Sequence, residues 1–202
     1  MIKFTFGIVC LFFVTRAASG QSTAGSDPRV DSVLEVVRLK HHIPAMGGAI
    51  INGDTVTIGV TGVRKRDGNV RVTVKDRWHL GSDTKAMTAT LIAALVEEGA
   101  MSWESSVESV FPDIAQTLPE DFRKVTVLQL LTHRAGLPPN MNWTALGAKG
   151  DVREQRLAAL KAVATVKLAS APGTAFLYSN WGYVLAGAMA EKIKNTTWEK
   201  LI

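Results

Sequence analysis

The strongest constraint on the fold is a change of hydrophobic period at Ser82. From there Met87, Leu91, Ile92, Leu95 and Val96 recur at helical intervals, and Gly99 stands where a helix would end. Alanine and threonine fill most positions between, so this predicted helix has little polar face and needs cover on most sides. A chain of 202 residues is long enough to supply that cover. Upstream, Gly47 to Ile51 and Thr55 to Val63 are β-prone runs about Asn52-Gly53, which predicts a hairpin. A second turn at Asp67-Gly68 leads to the β-prone Val70 to Val74. Helical spacing covers Val30 to Leu39 and, after Ser82, Thr126 to Leu131, Glu154 to Val166 and Trp181 to Lys194. One helix, a group of strands and then a run of helices predict an α+β layer arrangement rather than alternating βαβ units.

The first twenty residues read as a signal peptide. Lys3 gives a positive start, Phe4 to Val14 are almost wholly apolar, and Ala18-Ser19-Gly20 offers small residues before Gln21. The apolar run is short for a bilayer span, which takes about 20 residues, so export is expected ahead of an uncleaved membrane anchor. The only cysteine, Cys10, lies in this leader, so residues 21–202 have no disulfide or thiol chemistry. Removing Lys3 and Arg16 with the leader takes the formal charge from +5 to +3, too little to argue for a nucleic-acid partner. Arg64, Lys65, Arg66 and Arg71 surround the Asp67-Gly68 turn and read as a solvated hairpin tip.

Ser82-Asp83-Thr84-Lys85 places a hydroxyl and an amine one helical turn apart on one face. Serine is a weak nucleophile at neutral pH and needs a neighbour to take its proton. A lysine can do so if burial or nearby positive charge favours its neutral form, and the apolar helix that follows is expected to bury Lys85. The start of that helix also favours negative charge developing beside Ser82. Alone, a Ser-x-x-Lys match is weak. Ser26-Asp27-Pro28-Arg29 begins with the same two residues, lacks the lysine and lies in a polar leader stretch.

The wider context is more specific. Arg77 to Lys85 (Arg-Trp-His-Leu-Gly-Ser-Asp-Thr-Lys) resembles the first motif of the family of class C β-lactamases, D-alanyl-D-alanine carboxypeptidases and related esterases. Leu130-Leu131-Thr132-His133-Arg134-Ala135-Gly136-Leu137 is similar to that family's Leu-Leu-Thr-His-x-x-Gly-Leu signature. Pro172-Gly173 followed by Tyr178-Ser179-Asn180 resembles its Tyr-x-Asn motif. The three stand in family order and cover essentially everything after the leader. The resemblance implies an exported serine hydrolase working through an acyl-enzyme on an amide, ester or lactam, with no cofactor and no metal. Ser82 would be the nucleophile, with Lys85 and Tyr178 as the acid/base pair. Asn180 would bind substrate, and the Ser82 N–H would be one oxyanion donor. The partner implied is a small molecule or peptide, including cell-wall peptide. The family's third motif, Lys/His-x-Gly on a later strand, does not follow Asn180. The chain therefore reads as the N-terminal portion of such a domain over residues 21–202, a β-lactamase/transpeptidase-like fold whose C-terminal strands are absent.

Other readings of these residues are structural. Ser82 can be an ordinary helix cap, Lys85 a surface lysine, Tyr178 a core tyrosine and Asn180 a turn residue. His133 is read as part of a structural loop. His41-His42 lack metal-ligand spacing, and Trp103, Trp143 and Trp181 are read as packing. No Gly-x-Ser-x-Gly elbow and no His-Glu-x-x-His is present, against an α/β-hydrolase or a metallohydrolase. The competing functional reading is a truncated or non-catalytic relative that keeps the fold's front half without activity.

Overall fold

In a computed structural model the described residues are 25–147 and 149–202, so the signal peptide and Cys10 lie outside them. The described residues divide into two compact units, the first ending at His79 and the second running from Leu80 to Ile202.

The first unit is helix α1 (Pro28–Lys40) and the hairpin β1 (Ala45–Asn52) and β2 (Thr55–Gly62). The Asp27 carboxylate caps α1 by accepting from the Arg29 N–H, and Pro28 occupies a first-turn position that needs no donor. The strands pair antiparallel with Asn52 opposite Thr55, so the two-residue loop is Gly53-Asp54. Its first residue takes φ +56°, which glycine adopts without cost. Helix α1 lies close on β2 because Gly59 has no side chain: a Cβ there would come within 2.5 Å of Val30. The Asp31 carboxylate accepts the Val60 N–H at 2.8 Å, using a side chain where a further strand would pair. The β-prone run Val70 to Val74 does not become a strand. It contributes one bridge, Val63 to Arg71, and then the Asp76 carboxylate takes the Thr73 N–H at 2.6 Å. A local side-chain acceptor has displaced the ladder there.

The second unit is helical. Helix α2 (Asp83–Glu97) is followed by α3 (Val107–Val110), α4 (Pro112–Ala115), α5 (Glu120–Arg123) and α6 (Val127–Leu131). After α7 (Trp143–Leu146) come α8 (Val152–Ala162), which continues as a 3-10 turn to Thr165, then α9 (Asn180–Lys194) and α10 (Trp198–Leu201). The short helices α3, α4, α5, α7 and α10 carry too few apolar repeats to register as periodic in the sequence. Thr126 with Gln129, and Asp151 with Glu154, close capping boxes that start α6 and α8. Helix α9 is the centre of this unit, burying Trp181, Leu185, Ala186, Met189 and Ala190 against α2, α6 and α8. Gly182 lets α6 approach, since a Cβ there would stand 3.0 Å from the Leu130 carbonyl oxygen. Contrary to the sequence expectation, among the described residues α2 is not covered on most sides: Leu91, Ile92 and Leu95 are buried, whereas Ala86, Thr90 and Ala94 form an open face. Among the described residues no helix is long and apolar enough to cross a membrane. The whole is a mixed α+β arrangement with a small antiparallel sheet, consistent with part of a β-lactamase/transpeptidase-like domain.

One charge is buried in the α9 core. Glu191 is 1% exposed, and one of its carboxylate oxygens accepts from Arg156 at 2.5 Å and from the Trp198 N–H at 2.8 Å. Arg156 also reaches Glu199 at 2.5 Å, joining α8, α9 and α10. Breaking such a pair strands a buried charge, at a cost of about 3–5 kcal/mol. Urea unfolding of Arg156→Met is therefore expected to show a loss of about 3 kcal/mol, with much of it recovered when Glu191→Leu is added. A single variant as stable as the parent would mean that the ion pair contributes nothing.

Candidate active site

Ser82 stands at the N-cap of α2 with φ −76° and ψ −5°, following Gly81 at φ +56°. Its side chain makes no capping bond. Its hydroxyl is engaged elsewhere, which separates it from an ordinary cap residue. Lys85 lies one turn along, with its Nζ donating to Ser82 Oγ at 3.1 Å and to Asn180 Oδ1 at 2.6 Å. Tyr178 OH lies 2.8 Å from Ser82 Oγ, across 96 residues of sequence, and either hydroxyl can donate. The four residues singled out in the sequence thus meet in one cluster, although α2 and the segment before α9 are far apart in the chain.

What carries Tyr178 and Asn180 to Ser82 is a loop-to-loop seam. His133 C=O accepts the Leu177 N–H at 2.9 Å, Pro139 C=O accepts the Asn180 N–H at 2.8 Å, and Pro138 C=O accepts the Ser179 hydroxyl at 2.7 Å. Ser179 in turn caps α9 by accepting the Gly182 N–H. Further along, Arg134 C=O takes the Gly173 N–H and Gly136 C=O takes the Ala169 N–H. Gly136 has φ +73°, and a Cβ there would lie 2.2 Å from the Ser170 carbonyl oxygen. The close approach therefore requires glycine at this point in the Leu-Leu-Thr-His-x-x-Gly-Leu segment.

The electrostatics centre on Lys85. Its Nζ sits 4.8 Å from the Tyr178 ring centroid and 5.6 Å from that of Tyr183. Hydrogen bonding from Lys85, then from Ser82, and the Lys85 charge hold the Tyr178 phenol below its ordinary value. Burial opposes this without outweighing the two hydrogen bonds, and Tyr178 is 41% exposed. Tyr183, whose hydroxyl donates to Leu131 C=O at 2.9 Å, is pushed up by burial and by the neighbouring Tyr178. The apolar helix was expected to bury Lys85, but Lys85 is only half-buried and its polar partners define its position.

Asn180 is committed on both sides of its amide: Oδ1 accepts from Lys85, and Nδ2 donates to Asn140 Oδ1 at 2.7 Å. The sequence reading missed Asn140, because nothing in its spacing links it to a residue 40 positions away. It also understated His133, whose ring packs on Tyr178 with centroids 4.5 Å apart. Trp181 packs as expected, buried with its Nε1 donating to Ala159 C=O, whereas Trp103 and Trp143 are partly exposed.

The chain has two tyrosines, Tyr178 and Tyr183, so phenolate absorbance should show two steps, one below and one above the ordinary value of about 10. Lys85→Met is expected to move only the lower step substantially, upward towards 10, because the cation that favours the phenolate is gone. A single unshifted step in the parent protein would contradict the geometry described.

The site can be set beside known proteins. A family model described as Beta-lactamase matches residues 25–202. Penicillin-binding protein 4 of Amycolatopsis lactamdurans is 30% identical over 166 residues, which is 82% of this chain and 42% of that relative. The structure of a class C β-lactamase superposes with a TM-score of 0.67 at 26% identity, covering 86% of this chain and 45% of the other. The octameric penicillin-binding protein homologue from Pyrococcus abyssi gives a TM-score of 0.64 at 26% identity, covering 86% and 40%. The chain therefore spans less than half the length of each of these proteins. With a family match running over residues 25–202 and the same fold in these solved structures, the chain belongs to the β-lactamase family.

Proposed function

We propose that residues 21–202 are the N-terminal portion of an exported active-site-serine hydrolase, and that Ser82, Lys85 and Tyr178 carry out its acyl transfer. The observation that carries this reading is the double engagement of Ser82 Oγ, by Lys85 Nζ at 3.1 Å and Tyr178 OH at 2.8 Å. A serine hydroxyl becomes a competent nucleophile when a positioned base takes its proton as it attacks. Here the phenol of Tyr178, lowered by Lys85, is the group suited to that task.

The proposed sequence is as follows. Ser82 Oγ forms a bond to the substrate carbonyl carbon while its proton passes to the Tyr178 phenolate. The carbonyl π bond breaks to an oxyanion, which the Ser82 backbone N–H at the start of α2 stabilises. Collapse breaks the bond to the leaving amine or alkoxide, which collects the proton from Tyr178 and leaves an ester on Ser82. Water then attacks that ester, giving its proton to Tyr178, and the acid departs as Ser82 recovers its proton. Lys85, hydrogen-bonded beside Tyr178, favours the phenolate. Asn180 orients the substrate amide or carbonyl, exchanging its bond to Asn140 or Lys85 for one to substrate. The substrate class is an amide, ester or lactam, including peptides of the cell wall. The N-terminal leader supports export to the periplasm or exterior.

A second reading rests on extent. The chain covers 42% of the penicillin-binding relative, and the described sheet has two strands. On that reading the 202 residues keep the front half of the fold and do not turn over substrate by themselves. By the family resemblance, a Lys/His-x-Gly strand completes the site and supplies a second oxyanion donor, and losing one such donor costs about 100-fold to 1000-fold in rate.

A fluorophosphonate probe is expected to label Ser82, with labelling lost in Ser82→Ala and slowed at least about 100-fold in Lys85→Ala. Labelling mapped to another residue would falsify the assignment of the nucleophile. Steady-state hydrolysis of a chromogenic β-lactam or ester separates the two readings. Sustained turnover by the 202-residue chain favours the enzyme, and one acylation without turnover favours the front-half reading.

A further inference from the structure

His133 holds three consecutive residues of the site segment. Its carbonyl accepts the Leu177 N–H at 2.9 Å, its ring lies against the Tyr178 ring at 4.5 Å, and its Nδ1 accepts the Ser179 N–H at 3.0 Å. To present its carbonyl and imidazole together, it adopts φ +59°, an uncommon conformation for a residue with a side chain. Tyr183 flanks the ring at 5.2 Å and Phe176 meets it edge-on at 5.7 Å. Tyr178 is otherwise largely open to solvent, so this backing and the pinned peptide on its C-terminal side restrict where its hydroxyl can stand.

The bond to Ser179 also sets the protonation state. Because Nδ1 accepts, the neutral ring carries its proton on Nε2, and its one basic lone pair is the one that Ser179 uses. Adding a proton places N–H against N–H and breaks the contact. The charged and titratable groups near the ring are Lys85 from α2, Tyr178 itself, Tyr183 from α9, and Arg134 next in the chain, whose guanidinium donates to Gly173 C=O. Lys85 and Arg134 are cationic, burial keeps Tyr183 neutral, and Tyr178 is an anion only as the phenolate base, when it opposes the effect of Lys85 on the ring.

We propose that neutral His133 is the positioning residue that sets Tyr178 against Ser82, and that protonating His133 releases Tyr178 and shuts down acylation at acid pH. This rests on the reading of Ser82 as the acylated residue. Burial, then the Lys85 charge, disfavours the imidazolium, so His133 stays neutral below its ordinary value. The acid limb should accordingly fall below about pH 6.5.

The test uses the 202-residue chain and two variants. His133→Asn keeps a side-chain acceptor near the Nδ1 position and tolerates positive φ, but it does not titrate. His133→Ala removes the acceptor and the ring. Fluorophosphonate labelling of Ser82 at neutral pH is expected to slow at least about tenfold in His133→Ala and to stay within about threefold in His133→Asn. The acid limb of the parent should be absent or displaced in His133→Asn. Phenolate titration should place the Tyr178 step higher in His133→Ala than in the parent and near the parent position in His133→Asn. A purely structural histidine predicts the same acid limb in His133→Asn as in the parent, and that result overturns the proposal. So does a Tyr178 step unmoved in His133→Ala. If the parent is not labelled at all, the acylation reading fails separately. The Tyr178 step, and the Ser179 amide resonance followed through the His133 titration by NMR, then decide the positioning role: both shift if His133 holds the segment, and neither does if it does not.

Discussion

The hydrogen bonds between residues 133–139 and residues 169–180 are what every feature of the site depends on. Carbonyl groups of His133, Arg134, Gly136, Pro138 and Pro139 accept in turn from Leu177, Gly173, Ala169, Ser179 and Asn180. The seam joins two irregular loops, and its backbone groups pair across it instead of within regular secondary structure. Its effect is to deliver Tyr178 to Ser82 while Ser179 starts α9. Two left-handed residues make it possible: Gly136, where a side chain would collide with Ser170, and His133, which turns its carbonyl and ring to the same segment.

Within that frame a single cation organises the polar side chains. Lys85 meets a hydroxyl, an amide oxygen and the faces of two tyrosines, and it lowers Tyr178, while burial and Tyr178 push Tyr183 up. The cluster is half open to solvent, so direct hydrogen bonds, and not deep burial, do most of the tuning of Tyr178. The buried charge of this unit lies elsewhere, in the Arg156–Glu191–Glu199 group that ties α8, α9 and α10 together.

Much of the local structure was legible from residue patterns. The Asn52-Gly53 signal located the hairpin, although the loop itself is Gly53-Asp54, and Gly99 ended α2 as its spacing suggested. Asp27-Pro28 is an equally readable start for α1, a capping carboxylate followed by a first-turn proline. The run Val70 to Val74 misled because β-propensity does not register a competing acceptor such as Asp76. The short helices α3, α4, α5, α7 and α10 span single turns, and their apolar residues are positioned by packing rather than by period.

By itself, the sequence determined the order of the longer elements and the pairing of Ser82 with Lys85, while Tyr178 and Asn180 joined them only through the family resemblance of their motif. An i, i+3 pair on a helix is guaranteed to share a face, so Ser82 and Lys85 could be paired without coordinates. Tertiary structure alone decided what lies 96 residues away at 2.8 Å. It also decided that Asn180 is occupied by Asn140, and that His133 backs Tyr178. Those relations arise from the seam between two irregular loops, and irregular backbone has no period for a sequence to display. The open face of α2 belongs to the same class: composition recorded that the helix is apolar, and only packing among the described residues determined which side is covered.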